Sequence, residues 1–266
     1  MKRRIVSTTP NVTEILFALG LGDRVVGVTD YCRNPPEARS RTRIGTYAAP
    51  DIERILTLKP DLTIVQKLPN DLAAKLRRVG LLVLEIRHGS IEETLASIAE
   101  IAGAAEAPLA GDKLIASIRG GFDAVRARVA KRPPRGMAFI VGRNAGAIEG
   151  LIAVGPGSYL NGLMEIAGGR NVFGATLAAY PKIGVESLIA TKPEVIVDMG
   201  DMADGSGLSP AKRAEIVALW ARNPSILAVR TGRVFPVSND VFVVPGPRMP
   251  EAAREFARML HPEAFR

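Results

Sequence analysis

The sequence predicts an α/β fold of two α/β lobes with mainly parallel sheets, residues 1–106 and 133–266, joined by one long helix within residues 107–132. Three observations predict it. Segments of strand and helix character alternate along the whole chain, the pattern of βα units. Residues 108–131 read as one long amphipathic helix. The sequence before that helix is similar to the sequence after it.

The helix is read from Ile115, Ile118, Phe122, Val125 and Val129, which recur in steps of three and four. Pro108 suits a first turn, where a missing N–H costs nothing. Lys131 and Arg132 suit the negative C-terminal end, and Pro133-Pro134 stop the helix. At 1.5 Å per residue it spans roughly 35 Å. Gly120 and Gly121 cost about 1 kcal/mol each against alanine, which predicts close packing or a slight bend. Periodicity alone fits an ordinary core helix as well; the repeat on either side favours a connecting one.

Residues 52–65 read IERILTLKPDLTIV and residues 185–198 read VESLIATKPEVIVD. Glu53 aligns with Glu186, Lys59 with Lys192, Pro60 with Pro193 and Asp61 with Glu194. In both, a short helix ends at Lys-Pro and a buried strand follows. Residues 6–27 and 154–174 form a weaker pair, each a turn, a helix, a glycine stop and a short strand. The offsets, 133 for the first pair and 147–148 for the second, rule out a tandem array and fit one α/β lobe used twice.

In order, Ile5–Ser7 is a strand, and Asn11-Val-Thr-Glu14 reads as an N-cap with its reaching glutamate, opening a helix closed by Gly20 and Gly22. Val25–Thr29 is a strand, followed by loops at 30–36 and 45–50 and the first repeated helix. Leu62–Val65 is a strand emptying into the loop 66–70. Asp71–Val79 is a helix, Leu81–Ile86 a strand and Ile91–Ala102 a helix. After the long helix come strand Met137–Val141, the turn Gly155-Pro-Gly-Ser158, helix Leu160–Ala167, the loop 178–182, the second repeated helix and strand Val195–Asp198. Residues 199–210 read as a polar loop, 210–220 as a helix, Arg233–Val237 as a strand and Pro250–Leu260 as the closing helix.

Composition bounds the function classes. No apolar run approaches the 18 residues of a membrane span. The net charge is +8, but the 35 basic residues are scattered, so they read as a solvated basic surface rather than a nucleic-acid footprint. Cys32 is the only cysteine, which excludes an internal disulfide. The chain opens MKRRIVSTTP without an apolar signal core, which fits either a cytoplasmic protein or an exported one whose signal segment has been removed.

Enzyme chemistry has little residue support. His88 and His261 are the only histidines, too few for a histidine-based metal cluster, and there is no Walker A loop, GxSxG elbow or HExxH. The turn at Gly155–Ser158 precedes a helix and could bind an anion or be structural. The carboxylate pairs Glu92-Glu93 and Asp201 with Asp204 read as solvated surface. Cys32 reads as a passive thiol. No resident cofactor and no bound metal are expected.

The strings Ile5-Val-Ser-Thr-Thr-Pro-Asn-Val-Thr-Glu-Ile15, Val26-Gly-Val-Thr-Asp-Tyr-Cys-Arg-Asn-Pro-Pro-Glu-Ala38, Glu53-Arg-Ile55 with Leu58-Lys-Pro-Asp-Leu62, and Leu260-His-Pro-Glu263 resemble the helical-backbone substrate-binding proteins of metal-chelate ABC importers, closest to the cobalamin branch. The resemblance implies ligand held in a cleft between the lobes, periplasmic residence with or without a lipid anchor, and a membrane permease as partner. It implies that Tyr31 matches a family aromatic, that Tyr47 and Tyr180 stand where the cobalamin binder has tryptophans, and that Asp240 stands on its polar ligand contact. Gln66 and Val241 replace two further aromatics, leaving a thinner stacking surface. Glu53 and Glu186 match the glutamates, one per lobe, that meet permease arginines; the other reading is a carboxylate favouring its own helix dipole.

The residues themselves fit such a carrier. A macrocycle needs flat apolar faces and a few polar groups. All four tyrosines, Tyr31, Tyr47, Tyr159 and Tyr180, fall in predicted loops that contain Pro, Gly or Ala. Arg87, Arg143, Arg248, Lys67 and Lys182 fall at loops that would face the cleft, where they could pair acidic ligand groups or be solvated. A haem or ferric-siderophore carrier of the same fold, with Tyr47 or His88 on iron, and a cytoplasmic α/β enzyme are the competing expectations.

Overall fold

The computed structural model describes residues 4–67, 71–200 and 207–266. The chain forms two compact units, the first comprising Met1–Arg119 with Val244–Arg248 and the second Gly120–Val243 with Met249–Arg266.

In the first unit β1 (Ile5–Ser7), α1 (Pro10–Ala18), β2 (Val25–Val28), β3 (Thr42–Arg43), α2 (Ile52–Thr57), β4 (Leu62–Gln66), α3 (Leu72–Arg78), β5 (Val83–Ile86) and α4 (Ile91–Ala104) follow in order. The sheet runs β3-β2-β1-β4-β5, every pair parallel. Its strands are aliphatic because both faces are covered: Ile5, Val6, Ile64 and Val65 are buried. The strand order reverses at β1, and in open α/β sheets such a reversal is where ligands bind, outside the carboxyl ends of the strands. Ser90 caps α4 in a full capping box with Glu93, which gives that carboxylate a structural task.

The long helix is present as α5 (Pro108–Val129). It starts in the first unit and finishes in the second, and Ile118, Phe122, Val125 and Val129 are buried along it. Of the two readings of its glycines, close packing holds at Gly121, where a Cβ would lie 2.7 Å from Cβ of Pro250. Gly120 faces open space.

The second unit contains β6 (Arg135–Gly142), β7 (Leu151–Ala153), α6 (Tyr159–Ile166), β8 (Gly169–Asn171), β9 (Lys182–Ile183), α7 (Val185–Thr191), β10 (Val195–Asp198), α8 (Pro210–Ala221), α9 (Leu227–Arg230), β11 (Val234–Pro236) and α10 (Met249–Leu260). Its sheet runs β11-β10-β6-β7-β9, with β8 beside the start of β6. The pairs of β10 with β6 and β11, and of β6 with β8, are parallel; β7 pairs antiparallel with β6 and β9. Phe139, Phe242 and Phe256 meet with ring centroids 5.1–6.0 Å apart, a preferred aromatic packing distance.

The repeat is visible in the backbone. Lys59 and Lys192, each just before proline, have φ of 45° and 48°. Gly20 and Gly168, which end α1 and α6, have φ of 74° and 76°, the left-handed stop that glycine supplies. The Leu260-His-Pro-Glu263 string is a structural clasp: buried His261 sets Nε2 3.0 Å from the carbonyl of Gly168, and a Cβ on Gly168 would stand 2.9 Å from that nitrogen.

Several local expectations are corrected. α1 starts at Pro10 with Thr9 as N-cap and no side-chain cap bond; Asn11 and Glu14 lie within the helix, buried, and Glu14 pairs with Arg248 instead of reaching back. The short strands β3, β7 and β9 and the single turn α9 were not among the predicted elements. Asp201, Asp204 and the end of the 66–70 loop lie outside the described residues.

Candidate functional site

The carboxyl ends of the first unit's parallel strands carry most of its candidate residues. Tyr31 follows β2, Tyr47 follows β3, Gln66 ends β4, and Arg87 and His88 follow β5. Tyr31 and Tyr47 meet edge to face at 5.5 Å and stay 48% and 45% exposed, so one ring props the other while each keeps a face open. Gln66 Nε2 lies 2.7 Å from His88 Nε2. An amide nitrogen only donates, so the imidazole nitrogen accepts and the ring is neutral. Burial lowers the pKa of His88, against the pull of nearby Glu93. Arg87 and Lys67 are exposed beside this pair.

Arg248 is not a solvated cation. It grips the buried Glu14 carboxylate through Nε at 2.8 Å and Nη2 at 2.5 Å. The pair lines an open cavity of about 620 Å³ in the first unit, with Phe17, Pro35, Arg41 and Pro247 among its walls. Tyr31, Tyr47 and Gln66 do not line it. Cys32 is fully buried beneath the Tyr31 loop, its Sγ 3.1–3.2 Å from the hydroxyls of Thr13 and Thr29. Burial raises its pKa despite those bonds, leaving an unreactive thiol.

In the second unit, Tyr180 is 47% exposed, with its hydroxyl 3.2 Å from Ser158 Oγ. Asp240 is half-buried in a single 3₁₀ turn, and Lys182 is exposed on β9. Two expectations fail here. Tyr159 is not a loop residue: Ser158 is the N-cap, so Tyr159 opens α6, turns inward and donates its hydroxyl to the carbonyl of Phe242 at 2.8 Å. Burial raises its pKa well above the tyrosine norm, with Tyr180 adding to the shift. Arg143 does not project as a free cation: its Nε donates to Asp198 at 2.9 Å, and both side chains are shielded from solvent. Trp220 Nε1 and the amide of Gly200 also donate to that carboxylate, so Arg143 helps neutralise a buried acid. In the Gly155–Ser158 turn, glycine is required at 155, because a Cβ there would stand 2.1 Å from the carbonyl of Ala178, and Ser158 caps α6.

Glu53 and Glu186 are both exposed in the first turns of α2 and α7. Asp51 caps α2 with its side chain; the equivalent Gly184 at α7 cannot. Tyr47 and Tyr180 also share the 133-residue offset, so the repeat extends upstream into the loops that hold the exposed rings. The sequence carries this signal, but the two loops share only the tyrosine, within spacing set by the helices that follow.

Among the described residues, no group of three or more His, Cys, Asp and Glu is placed to hold a metal ion, and no helix is long and apolar enough to cross a membrane.

Residues 5–240 match the family model described as periplasmic binding protein. The chain belongs to that family. A vitamin B12-binding protein of Vibrio cholerae is 28% identical over 246 residues, covering 90% of this chain and 87% of the relative. The crystal structure of the periplasmic vitamin B12 binding protein BtuF of Vibrio cholerae superposes with a TM-score of 0.79 at 26% identity, covering 99% of this chain and 98% of that one. The periplasmic heme-binding protein RhuT of Roseiflexus sp. RS-1, in apo form, superposes with a TM-score of 0.82 at 24% identity, covering 99% and 100%; at that identity the likeness is one of fold.

Proposed function

We propose that this periplasmic binding protein serves an ABC importer, capturing a metal chelate, cobalamin or another corrinoid, and delivering it to the membrane permease. It acts in the periplasm, free or lipid-anchored, as a carrier and not an enzyme. The observation that carries this reading is the pair Tyr47 and Tyr180: two half-exposed rings at the same place in each half of the repeat. Burying such rings is favourable, and a flat macrocycle is the ligand shape that covers them. Tyr31 supports Tyr47, and Gln66 and Asp240 supply polar contacts to ligand amides. Arg143, Arg248 and Tyr159 hold the fold and are left out of the ligand set. Glu53 and Glu186 dock the permease, one acid on each half, meeting a partner that presents the same basic patch twice.

A second reading, haem or a ferric siderophore, draws on the exposed cations Arg87, Lys67 and Lys182, which suit propionates or other ligand acids. The test is a panel of coloured chelates. Cyanocobalamin, haem and a ferric siderophore are each mixed with the protein and filtered through a membrane that retains only protein. Retained cyanocobalamin absorbance is the expected result. A shifted Soret band with no retained corrinoid moves the assignment to haem.

A further inference from the structure

Leu56 and Ile189 are large apolar side chains left 37% and 40% exposed. They occupy equal places in the repeat, on α2 and α7. In each helix another pair faces inward: Ile52 packs on the first unit's core and Ile55 is fully buried, while Val185 packs on the second unit's core and Leu188 is fully buried. Glu53 and Leu56 are three residues apart and so are neighbours on one helix surface, as are Glu186 and Ile189. A lone exposed leucine needs no explanation. The same acid beside the same kind of aliphatic, facing outward twice, does.

We propose that Leu56 and Ile189 are the apolar anchors of the permease-docking face, each seating in a pocket beside the cation that meets Glu53 or Glu186. The proposal rests on the docking reading of those two glutamates. The occupant is the importer's membrane complex, two-fold in form, each half presenting a basic group flanked by an apolar pocket. The glutamates fix the sign of that group, and the duplication fixes that it occurs twice. The two residue types divide the work. An exposed charge pair mainly speeds encounter and is screened by salt. A desolvated aliphatic slows dissociation and is insensitive to salt.

The experiment holds the same organism's corrinoid importer in nanodiscs on a sensor and follows binding of the whole protein at low and high salt. Leu56→Ser and Ile189→Ser each raise the dissociation rate about fivefold to tenfold at both salt concentrations, and to a similar extent. The double variant dissociates faster still, while paired Leu56→Met and Ile189→Met changes preserve docking. Glu53→Gln with Glu186→Gln lowers the association rate, mostly at low salt. If the double serine variant dissociates like wild type while the glutamine pair is impaired, the anchors are overturned and the glutamate reading stands. If the glutamine pair associates like wild type, the docking reading fails and takes this proposal with it. Thermal melts and ligand titrations unchanged by the serine substitutions exclude a folding defect.

Discussion

Arg248 and Glu14, 234 residues apart in sequence, form a two-pronged ion pair in which the carboxylate is 5% exposed. The contact fastens the returning segment Val244–Arg248 onto α1 within the first unit. Removing one partner leaves the other charge buried, which is costlier than never having the pair. Arg248→Met is expected to destabilise the protein by about 2–4 kcal/mol, measured as a lower urea midpoint at unchanged slope. A midpoint equal to wild type contradicts a structural role for the pair.

Lys59 and Lys192 carry matching backbone strain. A left-handed conformation costs a residue with a Cβ about 1–2 kcal/mol, and both lysines adopt it before a proline. Lys59→Gly and Lys192→Gly are each expected to stabilise by about 0.5–1 kcal/mol, the relief of strain less the entropy glycine adds to the unfolded chain. Each gain is read as a higher thermal midpoint. A loss at either position shows that the lysine side chain contributes more than its backbone costs.

The alternation of elements, the long helix and the 52–65 and 185–198 repeat were legible because each rests on local periodicity and on Lys-Pro breaks. The antiparallel pair β7 and β9 was not, because two- and three-residue strands carry no readable period. Tyr159 was misplaced for a related reason: Ser158 shifts the helix start by one residue, and that shift turns a loop ring into a core ring. Arg143 and Arg248 read as ligand cations because their partners, Asp198 and Glu14, lie far away in sequence. The exposed pair Tyr47 and Tyr180 could be found from the sequence because the repeat offset links them.

His88 gives a pH dependence with a defined sign. Burial holds its folded pKa below the ordinary 6.5. Its contribution to stability is therefore present above the unfolded pKa and is lost as pH falls through the folded one. A nitrogen-15 titration is expected to show a midpoint below 6.5, with the neutral ring protonated on Nδ1 because Nε2 accepts from Gln66. A midpoint at or above 6.5 contradicts the burial of the ring, and a proton on Nε2 in the neutral ring contradicts the contact with Gln66.

The central claim is capture of a corrinoid by tyrosine faces, and calorimetric titration with cyanocobalamin tests it most directly. The account predicts saturable binding with one ligand per chain, weakened by about 1–3 kcal/mol in Tyr47→Ala and again in Tyr180→Ala. Absence of binding heat with cyanocobalamin, or binding that both alanine variants leave unchanged, contradicts it.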